Sequence, residues 1–232
     1  MDMTKSTSKK FVCEYCKKSY SKESTLVVHM CEPKRRWLQK DEKRVKLGLY
    51  TFQRFYRLSA GNKTEKSYEE FMKSTFYKAF VKFGSFVNNV KPLYPEKYVD
   101  YVVTSGVKLD HWCRDEMYEA YATDLIMKEG VETALERSVN TMVAWAESNQ
   151  SVWNHYFLHV STNRAVYDIK DGKVSPWLLL NCNSGKSLLA KFSDEQLGLV
   201  FHILNPSHWA IRFKRQPTDV ALVKSIAKEG KL

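Results

Sequence analysis

The chain has 232 residues, 44% of them apolar, with six Trp, thirteen Tyr and twelve Phe, which is enough for one or two packed domains and excludes a disordered tail. No apolar run approaches the eighteen or so residues of a membrane span, and the polar opening MDMTKSTSKK has no apolar signal core, so a soluble, cytoplasmic protein is expected. The net charge of +11 is uneven: residues 1–60 hold fifteen Lys and Arg against six Asp and Glu, whereas residues 111–150 hold three against eight.

Residues 1–10 offer Lys, Ser and Thr but no apolar cluster to pack, and are expected to form a mobile arm. Residues 11–33 carry the most specific signal. Phe11, Cys13, Cys16, Tyr20, Leu26 and His29 follow the order of a ββα zinc finger up to its third ligand. A Cys-x2-Cys knuckle, a gap of twelve and a histidine is the spacing that lets a hairpin and a short helix meet on one ion. Phe11, Tyr20 and Leu26 are the apolar plugs of a unit too small to fold without a metal. A second histidine is missing from positions 33–35, so Cys31 is the expected fourth ligand. It lies two residues past His29, half a turn away on a regular helix, and reaches the ion only if the helix unwinds there. Pro33, which disfavours helix at Glu32, is the expected cause of that unwinding. The alternative is a three-ligand or metal-free knuckle. Of the other cysteines, Cys113 and Cys182 are isolated, which suits a reducing compartment better than a disulfide framework.

The finger helix is expected from Ser21 or Lys22. Counting back from His29 places Lys22, Thr25 and Val28 at the slots that face base edges in a major groove. Val28 cannot hydrogen-bond, and one finger covers about three base pairs, so low sequence specificity is expected. A single finger is also a common protein-binding module. Residues 34–58 read as one long amphipathic helix with Val45, Leu49, Phe52 and Tyr56 as its buried stripe. Lys17 and Lys18 in the finger, Lys34, Arg35 and Arg36 after it, and Lys40, Lys43, Arg44, Arg54 and Arg57 along the helix are the candidate phosphate contacts. Trp37, Tyr50 and Phe55 lie between them; rings at helical spacing are expected inside, with the cations outside.

Ser67 with Glu70 is a capping-box signature for a short helix, and Ser74 is placed to cap the next, whose stripe is Phe76, Phe80, Phe83 and Val87. Further helices are expected over 95–105, 110–128 and 131–147. Residues 165–169 and 174–180, joined through Asp171 and Gly172, read as a β-hairpin. Helices are then expected over 187–191, 193–204, 205–214 and from Thr218 to Gly230. The expected architecture is mainly α: a small finger over 11–33, a long basic helix leading a helical body over 34–150, and an α+β region over 151–232.

Other candidate sites are weaker. Asn183 to Ser187 imitates a phosphate-binding loop, but the glycine required five residues before Gly185 is Leu180. His155 and His159 share a helical face without the glutamate of a zincin, and His111 and Cys113 lie two apart. Asp115, Glu116, Glu119 and Asp124 would suit a divalent ion in a nuclease; a solvated helix face is the simpler reading. No catalytic residue is expected.

With Cys31-Glu32-Pro33-Lys34-Arg35-Arg36-Trp37 beside the finger, and with Ala79-Phe80-Val81-Lys82-Phe83-Gly84, Ala134-Leu135-Glu136-Arg137 and Ser175-Pro176-Trp177, the chain resembles a group of uncharacterised single-finger proteins of large contractile-tailed bacteriophages. The resemblance implies a phage-encoded protein of the host cytoplasm with a zinc-binding N terminus. Together these readings predict a zinc-finger accessory protein that binds DNA or RNA, with a protein-recruiting adaptor as the alternative and a nucleic-acid-acting enzyme third.

Overall fold

The computed structural model of the chain describes residues 10–61 and 63–232. The arm expected over 1–10 lies outside them except for Lys10. Two compact units are present: one takes the chain up to Lys91 together with Val99–Cys113, the other Pro92–Tyr98 together with Arg114–Leu232.

The first unit opens with the finger. Strands β1 (Phe11–Val12) and β2 (Ser19–Tyr20) pair antiparallel, Phe11 opposite Tyr20. Between them Lys17 adopts φ 60°, and reciprocal backbone bonds between Cys13 and residues Lys17 and Lys18 close the knuckle. Helix α1 (Glu23–Val28) follows. The long helix expected over 34–58 is two helices, α2 (Glu32–Leu38) and α3 (Lys43–Ser59). Its apolar stripe begins only at Val45, where α3 meets the core, whereas Trp37 on α2 packs towards Tyr15 and Tyr68. One straight rod cannot serve both directions, and extended backbone at Glu42 separates them.

Helix α4 (Tyr68–Lys73) carries the expected Ser67/Glu70 capping box. Helix α5 (Tyr77–Val90) buries Phe80, Phe83 and Val87 but leaves Phe76 exposed. It crosses α3 at very close range. A Cβ on Gly84 would lie 2.2 Å from the Arg44 carbonyl oxygen, and one on Gly48 would lie 3.0 Å from that of Phe80. Helix α6 (Pro95–Thr104) leads to a 3-10 turn over Leu109–His111, and Trp112 then fills the core against Phe55, Phe80 and Phe83. The helix expected from residue 110 therefore starts later, as α7 (Asp115–Lys128).

The second unit is helical throughout. Helix α8 (Val131–Ser148) is followed by a 3-10 turn at Trp153–His155 and α9 (Tyr156–His159), both packed against it, so the helices after residue 150 continue the same body. The hairpin expected across Asp171-Gly172 is absent: its first strand is α10 (Thr162–Lys170) and its second contains α11 (Pro176–Leu179). Ser161 caps α10, whose Ala165, Val166 and Ile169 share a buried face, and Asp171 ends it. Gly172, at φ 75°, occupies the left-handed position after a helix rather than a hairpin turn. Ser175 then caps α11 with Pro176 at its first position.

Helix α12 (Asn183–Leu189) begins earlier than expected, capped by the Cys182 sulfur accepting from Gly185 N–H. The segment that imitates a phosphate loop is thus a helix whose Gly185 is buried against Leu179 and Cys182. Helices α13 (Asp194–Leu204), α14 (Pro206–Arg215) and α15 (Pro217–Glu229) complete the unit. Their core is Met142, Tyr156, Phe157, Ile169, Trp177, Leu178, Ile203 and Trp209, all essentially without solvent exposure. No helix among the described residues is long and apolar enough to cross a membrane.

Candidate metal centre

The knuckle places Cys13 and Cys16 on one side and the end of α1 places His29 opposite. Helix α1 stops where it must: His29 is its C-terminal cap, with extended backbone at ψ 122°, and its N–H bonds to the Leu26 carbonyl. This break, rather than a continued helix, turns Cys31 inward. Pro33 contributes differently from expectation, because Glu32 and Pro33 are the first two residues of α2, where a proline is well tolerated.

The four ligand atoms of Cys13, Cys16, His29 and Cys31 lie within 4.8 Å of one another, close enough to bind one metal ion. The Cys13 and Cys31 sulfurs are 3.9 Å apart, and Cys16 Sγ is 3.3 Å from His29 Nε2. Thiolates at ~2.3 Å and an imidazole at ~2.0 Å from a tetrahedral ion would stand ~3.5–3.8 Å from one another. The donors therefore fit such an ion with little movement. Backbone N–H donation from Cys16, with help from Tyr15, lowers the Cys13 thiol pKa against the opposing effect of burial.

Tyr20 does more than plug the finger. Its hydroxyl is 2.8 Å from His29 Nδ1, on the far side of the ring from Nε2. With Nε2 ligating an ion, Nδ1 would carry the proton and donate it to Tyr20 Oη, fixing both tautomer and ring orientation. Sequence spacing identified Tyr20 as apolar filling and missed this bond. Removing the hydroxyl in Tyr20→Phe is expected to weaken metal binding roughly tenfold, measured by competition against a chromogenic chelator. An unchanged affinity would show that the hydroxyl does not support the ligand.

The proposed phosphate contacts divide into two groups. Lys17, Lys18, Lys22, Thr25, Arg35, Lys40, Lys43, Arg44 and Arg57 are exposed. Three others are engaged inside the unit. Arg36 donates to the Met72 carbonyl and to Glu32 at 2.5 Å each and stacks over Tyr77 at 4.3 Å. Arg54 forms a two-pronged pair with Asp100, both bonds 2.6 Å, and Lys34 donates to the His29 carbonyl at 3.2 Å. Arg44 pairs with Glu42 at the surface, and Lys40 lies over the Trp37 ring at 4.5 Å. On α1 the slots Lys22, Thr25 and Val28 are all open to solvent.

The remaining motifs form no second metal group among the described residues. Glu119 is paired with Lys170 at 2.7 Å and Asp124 with Lys128 at 2.5 Å, as on an ordinary solvated face. His155 and His159 stack edge to face with ring centres 5.5 Å apart. Comparison with known protein families, with curated proteins and with solved structures gives no match, so the finger's own geometry carries the functional reading.

Proposed function

We propose that the chain is a zinc-finger protein that binds nucleic acid with low sequence specificity and works in phage genome metabolism or host takeover. Three cysteines and one histidine at tetrahedral spacing are the donor set that zinc favours among the available metals. The observation that carries the reading is this candidate metal site with Lys17, Lys18 and Lys22 exposed on the same finger. Arg35, Lys40, Lys43 and Arg57 extend the exposed positive charge beyond the finger. Arg36, Arg54 and Lys34 are left out of the phosphate-binding set because the fold already employs them.

Each Lys or Arg that neutralises a phosphate releases condensed counterions, so binding should weaken steeply as salt rises. The triple variant Lys17→Gln, Lys18→Gln, Lys22→Gln is expected to lower the slope of log affinity against log salt by about two to three on duplex DNA. Fluorescence anisotropy across a salt series measures it. Affinity indifferent to ionic strength would overturn the proposal.

One observation favours the adaptor reading in second place. Val27 is 70% exposed, Val28 78% and Met30 51%, so the end of α1 presents apolar surface where base reading calls for polar groups. A partner retained after nuclease treatment and in high salt would support that reading over the first.

A further inference from the structure

The second unit contains a cleft of about 1020 Å³ with a composition unlike that of the finger. Helix α8 buries Val131, Ala134, Leu135, Ser138, Met142 and Ala146 in the core. Its other stripe, which includes Arg137, Asn140, Thr141, Trp145 and Ser148, lines the cleft. His159, Ser161 and Arg164 line it as well, from the end of α9 and the start of α10.

Charge on this lining is one-sided. Arg137, Arg164 and Lys173 face it against a single carboxylate, Glu136. Their partners Glu129, Asp168 and Asp171 are not among the lining residues, and the side chains of Glu129 and Asp168 are only 3% and 1% exposed. The Glu129 and Asp168 carboxylates therefore sit behind the wall and hold Arg137 and Arg164 in place, whereas Asp171, 35% exposed, pairs with Lys173 nearer the surface. Arg164 is attached to Asp168 through Nε at 2.8 Å, which leaves the two Nη groups of its fork for an outside anion. Ser161 is the N-cap of the nine-residue α10, so the positive end of that helix faces the same cleft.

A flat ring stands beside these cations. Trp145 meets Tyr156 edge to face at 5.4 Å, and the Tyr156 hydroxyl donates to Asp168 Oδ2 at 2.8 Å. That same oxygen accepts from Arg164. One buried Tyr156–Asp168 pair thus braces both the ring and the guanidinium, which is the pre-organisation a binding site requires. Asn140, Asn149 and Ser148 add neutral polar groups to the lining; the Ser148 hydroxyl and the Asn149 amide already donate to the Ala144 and Trp145 carbonyls, which leaves their oxygens as acceptors.

We propose that this cleft binds a nucleotide unit, its phosphate held by Arg164 and Lys173 and its base stacked on Trp145. A bare anion would use only the cationic wall, and a lipid chain would have to lie against Arg164, Lys173 and Asn140. The unit is either a free nucleotide or one residue of a single strand, which share this chemistry.

The test titrates the full chain calorimetrically with a nucleoside 5′-monophosphate, the unphosphorylated nucleoside, inorganic phosphate and a short oligothymidylate. Monophosphate should bind one to one and more tightly than nucleoside or phosphate. Arg164→Gln and Trp145→Leu should each weaken it roughly tenfold, the size of one charge-assisted bond or one stacked base. Asn140→Trp, at an exposed α8 position away from the Tyr156–Asp168 brace, should fill the cleft and abolish binding without lowering the thermal midpoint. Tighter binding of the oligonucleotide than of the monophosphate would support the proposal with a single strand as source, and the reverse would support it with a free nucleotide. No binding of either, phosphate alone binding as well as the monophosphate, or full binding by a folded Asn140→Trp variant would overturn it. A Cys13→Ser, Cys16→Ser variant should lose the finger but keep monophosphate binding, which separates failure of the cleft from failure of the finger reading.

Discussion

Stripping the finger's metal, zinc on the reading proposed above, with a chelator is expected to unfold residues 11–31 while the helical body remains folded. The finger's apolar plugs Phe11, Tyr20 and Leu26 are only half-buried, and its longest regular element, α1, has six residues. Isolated helices that short are not stable in water, and a two-residue strand pair adds little. Structural zinc in finger peptides contributes about 10–16 kcal/mol of apparent binding free energy at neutral pH, far more than such a core supplies. In amide NMR spectra the finger resonances should collapse to random-coil shifts when the metal is stripped and return with one equivalent of zinc. Resonances of α3, α5 and the second unit should persist. Cys16→Ser should reproduce the stripped state, since it removes a ligand from the site. Purified protein with no zinc by elemental analysis and a dispersed finger spectrum would refute the metal assignment.

The second large effect is expected from Arg137→Met. Arg137 donates Nε to the Gly172 carbonyl at 2.7 Å and both Nη atoms to Glu129 at 2.5 and 2.6 Å. Glu129 also accepts from the Ser175 hydroxyl at 3.0 Å, and Ser175 N–H donates to Ser138 Oγ at 2.9 Å. The group therefore ties α8 to the segment that ends α7 and to the cap of α11. Burial works against the Arg137 charge, yet hydrogen bonding and attraction to Glu129 hold its pKa above the ordinary arginine value. Replacing one partner leaves a buried carboxylate without its counterion, which costs about 3–5 kcal/mol. For a unit of this size that lowers the thermal midpoint by roughly 10–20 °C. Calorimetric unfolding of the variant measures the loss, and Glu129→Leu combined with Arg137→Met should recover much of it because no charge is left stranded. A loss below about 1 kcal/mol for the single variant would show that water reaches Glu129.

Arg212 works beside this network for a related reason. It donates to the carbonyls of Met127 and Glu129, where α7 ends with unpaired acceptors, and lies over the rings of Trp177 and Trp209 at 5.0 and 5.3 Å. Nothing in the neighbourhood of Arg212 along the chain marks it as the closing group of a helix more than eighty residues earlier. Contacts of that kind depend on which elements meet, and local periodicity does not contain that information.

The Asp171-Gly172 pair shows the same limit at short range. Asp-Gly favours a tight hairpin and equally favours the end of a helix, because both require a left-handed residue. The deciding feature lay ten residues earlier, where Ser161 caps a segment whose Ala165, Val166 and Ile169 face the core together. In the stretch after the finger, helical periodicity continued through Gln39 to Glu42, while packing required a break there. Trp37 had to meet Tyr15 and Tyr68, and Val45 had to meet the core between α3 and α5.

The candidate ligand set was legible from residues alone because a metal knuckle is a local device. Cys13, Cys16 and His29 lie at distances that a hairpin and one short helix span without help from the rest of the chain. The Ser67 capping box was legible for the same reason, since it satisfies backbone groups within a few residues. Tertiary structure alone decided which cations stay exposed, by pairing Arg54 with Asp100 and stacking a half-buried Arg36 over Tyr77. It also decided that Tyr20 supports His29, and that Arg164 and Trp145 share one brace across a cleft. A charge or ring in sequence carries its chemistry with it, but only packing determines whether that chemistry faces a ligand or is consumed by a neighbour.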